Sequence, residues 1–247
     1  MRILRALLFI SLAALAKGAS TDGLIKQGDA LDAKNQNAAA LKIYLEADRL
    51  QPNDAEILRR ISKQYAQQML DPGADRQELG AKALDYAKRA VKAGPDDAQA
   101  HLSLAIVYGK VSFLQSTKER MEYSHEIRQE AQRSISLDPT NDLAWHVLGR
   151  WNYEIANLSG PLKFFAQTLY GKFPDASNER ALECFQKAVA LNPGRLANEA
   201  ELGRTLAALG RKDEARAALE KALEMPSREK ADDETKTRAR KALAELD

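Results

Sequence analysis

The strongest constraint on this chain is a phrase that returns five times, each time closing on proline. Ala47-Asp48-Arg49-Leu50-Gln51-Pro52, Ala90-Val91-Lys92-Ala93-Gly94-Pro95 and Ser134-Ile135-Ser136-Leu137-Asp138-Pro139 are the first three. Ala188-Val189-Ala190-Leu191-Asn192-Pro193 and the one-residue-shorter Ala222-Leu223-Glu224-Met225-Pro226 follow. Proline cannot continue a helix and restricts the residue before it, so each phrase ends a helical stretch. Asn53-Asp54-Ala55-Glu56 and Asp96-Asp97-Ala98-Gln99 then restart the chain with spacing that fits a capping box. Five similar helix ends in one chain point to an internal repeat, which governs every later inference.

Upstream of each proline, small and bulky apolar residues recur at helical spacing. Ala40, Tyr44 and Ala47 stand at i, i+4 and i+7, and Ala181, Phe185 and Ala188 repeat them. Ala215, Leu219 and Ala222 do so again. One helix face therefore carries two small residues around one large one. Small residues admit a neighbouring helix and the large one fills the gap. Gly28, Leu148-Gly149 and Leu202-Gly203 mark the facing helix, where the two helices of a hairpin touch. The pattern resembles the tetratricopeptide repeat, with its Trp, Leu-Gly, Tyr, Ala, Phe, Ala and Pro positions. Trp145, Tyr65 and Tyr108 extend the match, whereas His101, Ile127 and Ser134 occupy signature positions with other residues.

The fold expected is all-α: a right-handed α-solenoid of about five helix pairs. Its repeats run over 21–54, 55–97, 98–141, 142–195 and 196–228, within a single domain over 21–247. Proline intervals of 43, 44, 54 and 33 residues exceed the usual ~34 in repeats two to four, which implies insertions. Pro161, in the insertion near 157–176, could start a short extra helix. Residues 229–246, with Ala239, Leu243 and Leu246 on one face, are expected to cap the open end.

Residues 1–18 read as a signal peptide. Arg2 and Arg5 precede an apolar stretch over 6–16 and then small residues, the three-part order of a secretory leader. The apolar stretch is shorter than the ~20 residues needed to cross a bilayer, so no transmembrane span is expected in the mature chain. Export to a periplasm or the outside is therefore the expectation; a mitochondrial presequence, a cytoplasmic chain and an uncleaved anchor are the alternatives. Removing residues 1–16 takes away Arg2 and Arg5 and no acid, so the formal charge of +2, from 37 Lys and Arg against 35 Asp and Glu, becomes zero. A neutral mature chain is not the basic footprint of a nucleic-acid binder.

Chemistry-bearing residues are scarce. One cysteine, Cys184, excludes an intrachain disulfide and a Cys-rich zinc site. It reads as a buried structural thiol, having no positioned base. His101, His125 and His146 fall on separate elements without ligand spacing. No phosphate loop, zinc signature or nucleophile elbow is present. Neither enzyme activity, a cofactor nor a metal site is expected. Lys118-Glu119-Arg120-Met121-Glu122 is a mixed-charge helix face.

The third to fifth repeats carry a more specific pattern. Leu148-Gly149-Arg150-Trp151-Asn152-Tyr153-Glu154 is followed by Leu169-Tyr170-Gly171, Pro174-Asp175-Ala176-Ser177 and Glu179-Arg180-Ala181-Leu182. Leu191-Asn192-Pro193-Gly194, Asn198, Leu202-Gly203, Ala222-Leu223 and Pro226 complete it. Over 98–228, and most sharply over 144–226, this resembles the regulator of microtubule dynamics family. The resemblance implies an all-helical, non-enzymatic scaffold associated with microtubules and with mitochondrial or cytoplasmic locations.

The tetratricopeptide register places Arg59, Lys63, His146, Arg150, Tyr153 and Arg204 on the concave face lined by the first helix of each pair. Such a basic groove would attract an acidic protein or peptide partner, or a lipid-like or anionic ligand. The same residues also fit a solvated face whose charges pair with Asp29, Asp32 or Glu154. A chaperone-tail carboxylate clamp is not expected, because Ile25 and Asp29 stand where its Lys and Asn belong. Trp151, Tyr153, Phe164, Phe165 and Tyr170 read chiefly as packing material, with an apolar pocket as the alternative.

Overall fold

The computed structural model describes residues 20–160, 163, 176–229 and 231–246. The leader 1–18, Pro161, Phe164, Phe165 and Tyr170 lie outside the described residues. Eleven helices are present among the described residues, in consecutive pairs. The first pair is α1 (Thr21–Asp32) with α2 (Asn37–Leu50), and the second is α3 (Ala55–Gln68) with α4 (Arg76–Ala93). α5 (Ala98–Ser112) pairs with α6 (Thr117–Leu137), and α7 (Asp142–Ala156) with α8 (Asn178–Leu191). α9 (Leu196–Ala208) pairs with α10 (Lys212–Glu224), and α11 (Asp232–Ala244) follows alone. Each helix packs on its neighbours in sequence, and α3, α5, α7 and α9 also touch one another in order, as in a tetratricopeptide-like array.

Side chains supply the helix starts. Asp54 accepts from the Ile57 amide at 3.0 Å and Asp97 from the Gln99 amide at 2.8 Å. The cap thus falls one residue later than the box spacing indicated at Asn53 and Asp96. Asn53 instead takes a left-handed φ of 62°, turning the chain after Pro52. A reciprocal capping box forms at Ser116 and Glu119. The residues that lengthen repeats two and three go partly into their second helices: α4 has 18 residues and α6 has 21, against 14 in α2 and α8.

The large-between-small pattern forms the pair interfaces. Tyr44, Phe185 and Leu219 are fully buried, as are the alanines that flank them. Each presses on a glycine of the preceding helix. A Cβ at Gly28 would stand 2.4 Å from Tyr44, one at Gly149 2.9 Å from Phe185, and one at Gly203 2.7 Å from Leu219. In the second pair Ser62 takes the glycine position and its hydroxyl donates to the Ala83 carbonyl at 2.8 Å.

The joints between pairs also repeat. Trp145 Nε1 donates to the Pro139 carbonyl at 2.9 Å, and His101 Nε2 donates to the Pro95 carbonyl at 2.9 Å. Both rings reach back six residues across the turn, so His101 replaces the signature tryptophan with the same bond. Its other nitrogen meets Glu130 of α6 at 2.5 Å. α11 packs on both α9 and α10, burying Ala239 and Leu246 against Leu206, Ala218 and Leu219. Cys184 is buried beside Phe185, and burial pushes its thiol up to about 12.

Candidate functional site: the concave groove and its C-terminal end

The first helices of the pairs, α1, α3, α5, α7 and α9, carry the candidate residues along one face. At the N-terminal end the charges are cross-paired between repeats. Arg60 grips Asp29 through two bonds of 2.8 and 3.0 Å, and the Tyr44 hydroxyl donates to the same carboxylate at 2.6 Å. The Arg60 guanidinium holds Asp29 below the usual carboxylate range. Lys63 meets Asp32 at 2.6 Å, and Gln64 donates to the other oxygen of Asp32 at 3.0 Å. Arg59 is half-buried, its Nε lacks a hydrogen-bond partner, and desolvation with the adjacent Arg60 lowers its pKa. This end is therefore close to neutral, and Lys63 already has an acidic partner.

In the middle, α5 offers half-buried Ile106 beside buried Leu102, an apolar stretch between two charged ends. Toward the C-terminus, α7 brings His146, Arg150 and Tyr153 into one row. His146 Nδ1 lies 2.9 Å from Asn198 Oδ1 on α9. Both hydrogens of the Asn198 amide are used, donating to Asp142 at 3.0 Å and to the Ala188 carbonyl at 3.1 Å. Its oxygen must therefore accept, which places the proton on His146 Nδ1. Burial lowers the His146 pKa to about 4; Arg150 and Arg195 act in the same direction, and Glu201 and Asn198 oppose it. A neutral, tied imidazole joins α7 to α9 and is not free to bind a ligand through Nδ1. Arg150 lies 3.4 Å from Glu154, a loose and partly exposed pair.

Tyr153 and Arg204 come together. The Arg204 guanidinium sits over the Tyr153 ring at 4.8 Å. Arg204 Nη1 also donates to Glu201 at 2.6 Å, a carboxylate only 1% exposed. Arg238 of α11 approaches the other oxygen of Glu201 at 3.9 Å. These groups open onto a cavity of about 510 Å3 between the last helix pair and α11. Arg204, Lys212, Arg238 and Lys241 line it, with Tyr153 on its α7 side. Lys212, Arg238 and Lys241 lie outside the first helices, so the groove register could not reach them. Arg238 and Lys241 belong to the charged 229–246 segment, and Lys212 carries no sequence signal of its own.

Among the described residues no group of His, Cys, Asp and Glu side chains gathers as metal ligands. No helix among them is long and apolar enough to cross a membrane. Trp151 is buried and donates to the Ser124 hydroxyl at 2.9 Å, a packing role.

A family model described as regulator of microtubule dynamics protein 1-3 matches residues 24–247. Regulator of microtubule dynamics protein 1 of Bos taurus is 28% identical over 235 residues, which is 93% of this chain and 73% of that protein. Regulator of microtubule dynamics protein 3 of Xenopus laevis is 26% identical over 175 residues, 69% of this chain but only 38% of that longer protein. Among solved structures, a thermophilic TPR protein of Thermus thermophilus superposes with a TM-score of 0.64 at 20% identity, covering 91% of this chain and 100% of the other. A TPR protein described as having an unusual peptide-binding site gives a TM-score of 0.50 at 19% identity, covering 90% and 93%.

Proposed function

Because the chain belongs to the regulator of microtubule dynamics family, we propose that it is a non-catalytic scaffold whose concave groove holds a segment of a microtubule-associated protein partner. The observation that carries this reading is the stacked Tyr153–Arg204 pair at the groove's C-terminal half. There cations outnumber acids, whereas Asp29 and Asp32 neutralise the N-terminal half. An extended segment with an apolar centre and an acidic end would meet Ile106 in the middle and guanidinium groups beyond it. Arginine suits that end because its planar fork pairs with carboxylates through two parallel bonds. Repeat proteins offer such concave surfaces for extended ligands. The solved TPR neighbour with a peptide-binding site supports the same use of the fold.

The test is co-sedimentation of the purified chain with polymerised microtubules, with and without microtubule-associated proteins. Wild type should pellet with one of the two, while Ile106→Arg and Arg150→Glu, both on partly exposed positions, should stay in the supernatant. No pelleting of the wild type, or equal pelleting of both variants, would overturn the proposal.

The leader pattern of residues 1–16 favours a second reading: an exported carrier or envelope assembly factor that uses the same groove for a lipid-like or anionic ligand. N-terminal sequencing of the mature chain separates the two. A start near residue 17 or 19 supports export, and an intact Met1 or a start at Arg2 removes it.

A further inference from the structure

The cavity beside α11 has a charge balance that the fold leaves open. Arg204 comes from α9, Lys212 from the first position of α10, and Arg238 and Lys241 from successive turns of α11. Against these four cations, Glu245 is the one carboxylate among the described residues that line the cavity. Glu201, behind the wall, shares its single charge between Arg204 at 2.6 Å and Arg238 at 3.9 Å. Lys241 and Glu245 stand 3.9 Å apart with both side chains mostly in water, a weak pair. Arg238 also nears Glu234 at 3.7 Å, again an exposed partner.

The donors are only partly used. Lys212 donates one N–H to the Leu246 carbonyl at 2.6 Å, which fixes the chain's last turn and leaves its other hydrogens available. Arg238 Nε is buried without a hydrogen-bond partner. Ala207, Ala208, Gly210 and Ala242 contribute small side chains to the wall, and Tyr153 and Leu246 the large apolar ones. Cations held together in a concave site focus a positive field, which an anion relieves. At about 510 Å3 the cavity is within the ~300–1,000 Å3 typical of ligand sites.

We propose that this cavity is a carboxylate-binding site that seats neighbouring acidic side chains at the end of a peptide lying in the groove. The proposal rests on the groove reading above and adds a location and a charge requirement to it. Tyr153 belongs to both the groove row and the cavity wall, so a segment passing α7 leads directly into the cavity. Two arginine forks and two lysines offer more donors than a single carboxylate accepts, which favours adjacent carboxylates. The cap helix is then part of the recognition surface, since two of the four cations are its own.

The probe is fluorescein-labelled hexaglutamate, titrated with the full chain and followed by fluorescence anisotropy. Saturable binding is expected, with an affinity that falls as salt rises. The double variant Arg238→Gln with Lys241→Glu should lose at least about tenfold. Lys241→Glu alone changes an exposed side chain and keeps the fold testable; it should lose about threefold or more. Lys42→Glu, an exposed lysine of α2, makes the same change in net charge and should bind as wild type. Non-saturable binding, wild-type affinity in Lys241→Glu, or an equal loss in Lys42→Glu would each overturn the site. Competition by inorganic phosphate at the same concentration as the peptide would make it a small-anion site and overturn the peptide assignment. The two readings fail in different assays: the groove reading when Ile106→Arg still pellets with microtubules, the cavity when Lys241→Glu still binds hexaglutamate.

Discussion

His146 makes the fold acid-sensitive in a window that can be calculated. Its ordinary pKa of 6.5 is lowered to about 4, first by burial and then by Arg150 and Arg195. In the unfolded chain the ring takes up a proton as pH drops through 6.5, while in the folded chain it waits until about 4. Between those values unfolding binds a proton, so stability present above 6.5 is lost as pH falls. The linkage amounts to about 2 kcal/mol at about pH 5 relative to about pH 8. Carboxylates add their own acid dependence, so the comparison must be with His146→Gln, whose amide can still donate to Asn198 but does not titrate. Urea unfolding followed by far-UV circular dichroism should show wild type losing about 2 kcal/mol more than the variant between those two pH values. Parallel losses, within about 0.5 kcal/mol, would mean that the ring is solvated and that burial does not hold it neutral.

Three further outcomes follow from the packing. Gly28→Ala gains about 1 kcal/mol of helix propensity but drives a methyl to 2.4 Å from Tyr44, whose hydroxyl is anchored on Asp29. A net loss of about 1–3 kcal/mol is expected, read as a Tm lower by several degrees in calorimetry; an unchanged or raised Tm would refute it. Cys184 should stay unmodified by a thiol-reactive chromogen until denaturant is added, because its thiol is buried and pushed up to about 12; prompt native labelling would contradict that burial. Ser116→Ala should cost about 1 kcal/mol through loss of the capping box, measured by the same urea titration.

What could be read in the sequence was whatever repeats along one helix. Tyr44 between Ala40 and Ala47, facing Gly28, needs only helical spacing to be found, and the pair interfaces are built on it. His101 was harder, because a signature defined by residue type does not reveal that imidazole and indole make the same bond to a proline carbonyl. The charged face was legible as a choice between an open groove and internal pairing. Lys63 with Asp32 and Arg150 with Glu154 took the pairing side, while Tyr153 and Arg204 came together at a cavity. Arg60, one helical position from Arg59, is the side chain that reaches Asp29. Lys212, Arg238 and Lys241 escaped notice for a physical reason. The apolar face of Ala239, Leu243 and Leu246 signals that α11 covers the last pair, but that spacing does not show which of its cations come to face Arg204 and Lys212.

In a stack held by contacts between neighbouring helices, single elements can open locally without global unfolding. The cavity is assembled between α11 and the α9–α10 pair, and two of its cations leave with α11 whenever that helix opens. Every opening of α11 therefore destroys the site, and every occupant must hold that helix in place. Filling the site at about a hundred times its dissociation constant would add about 2.7 kcal/mol against that opening. Occupancy would thus be written into the amide-exchange lifetimes of residues 196–246, which makes α9, α10 and α11 a reporter of what the groove has caught.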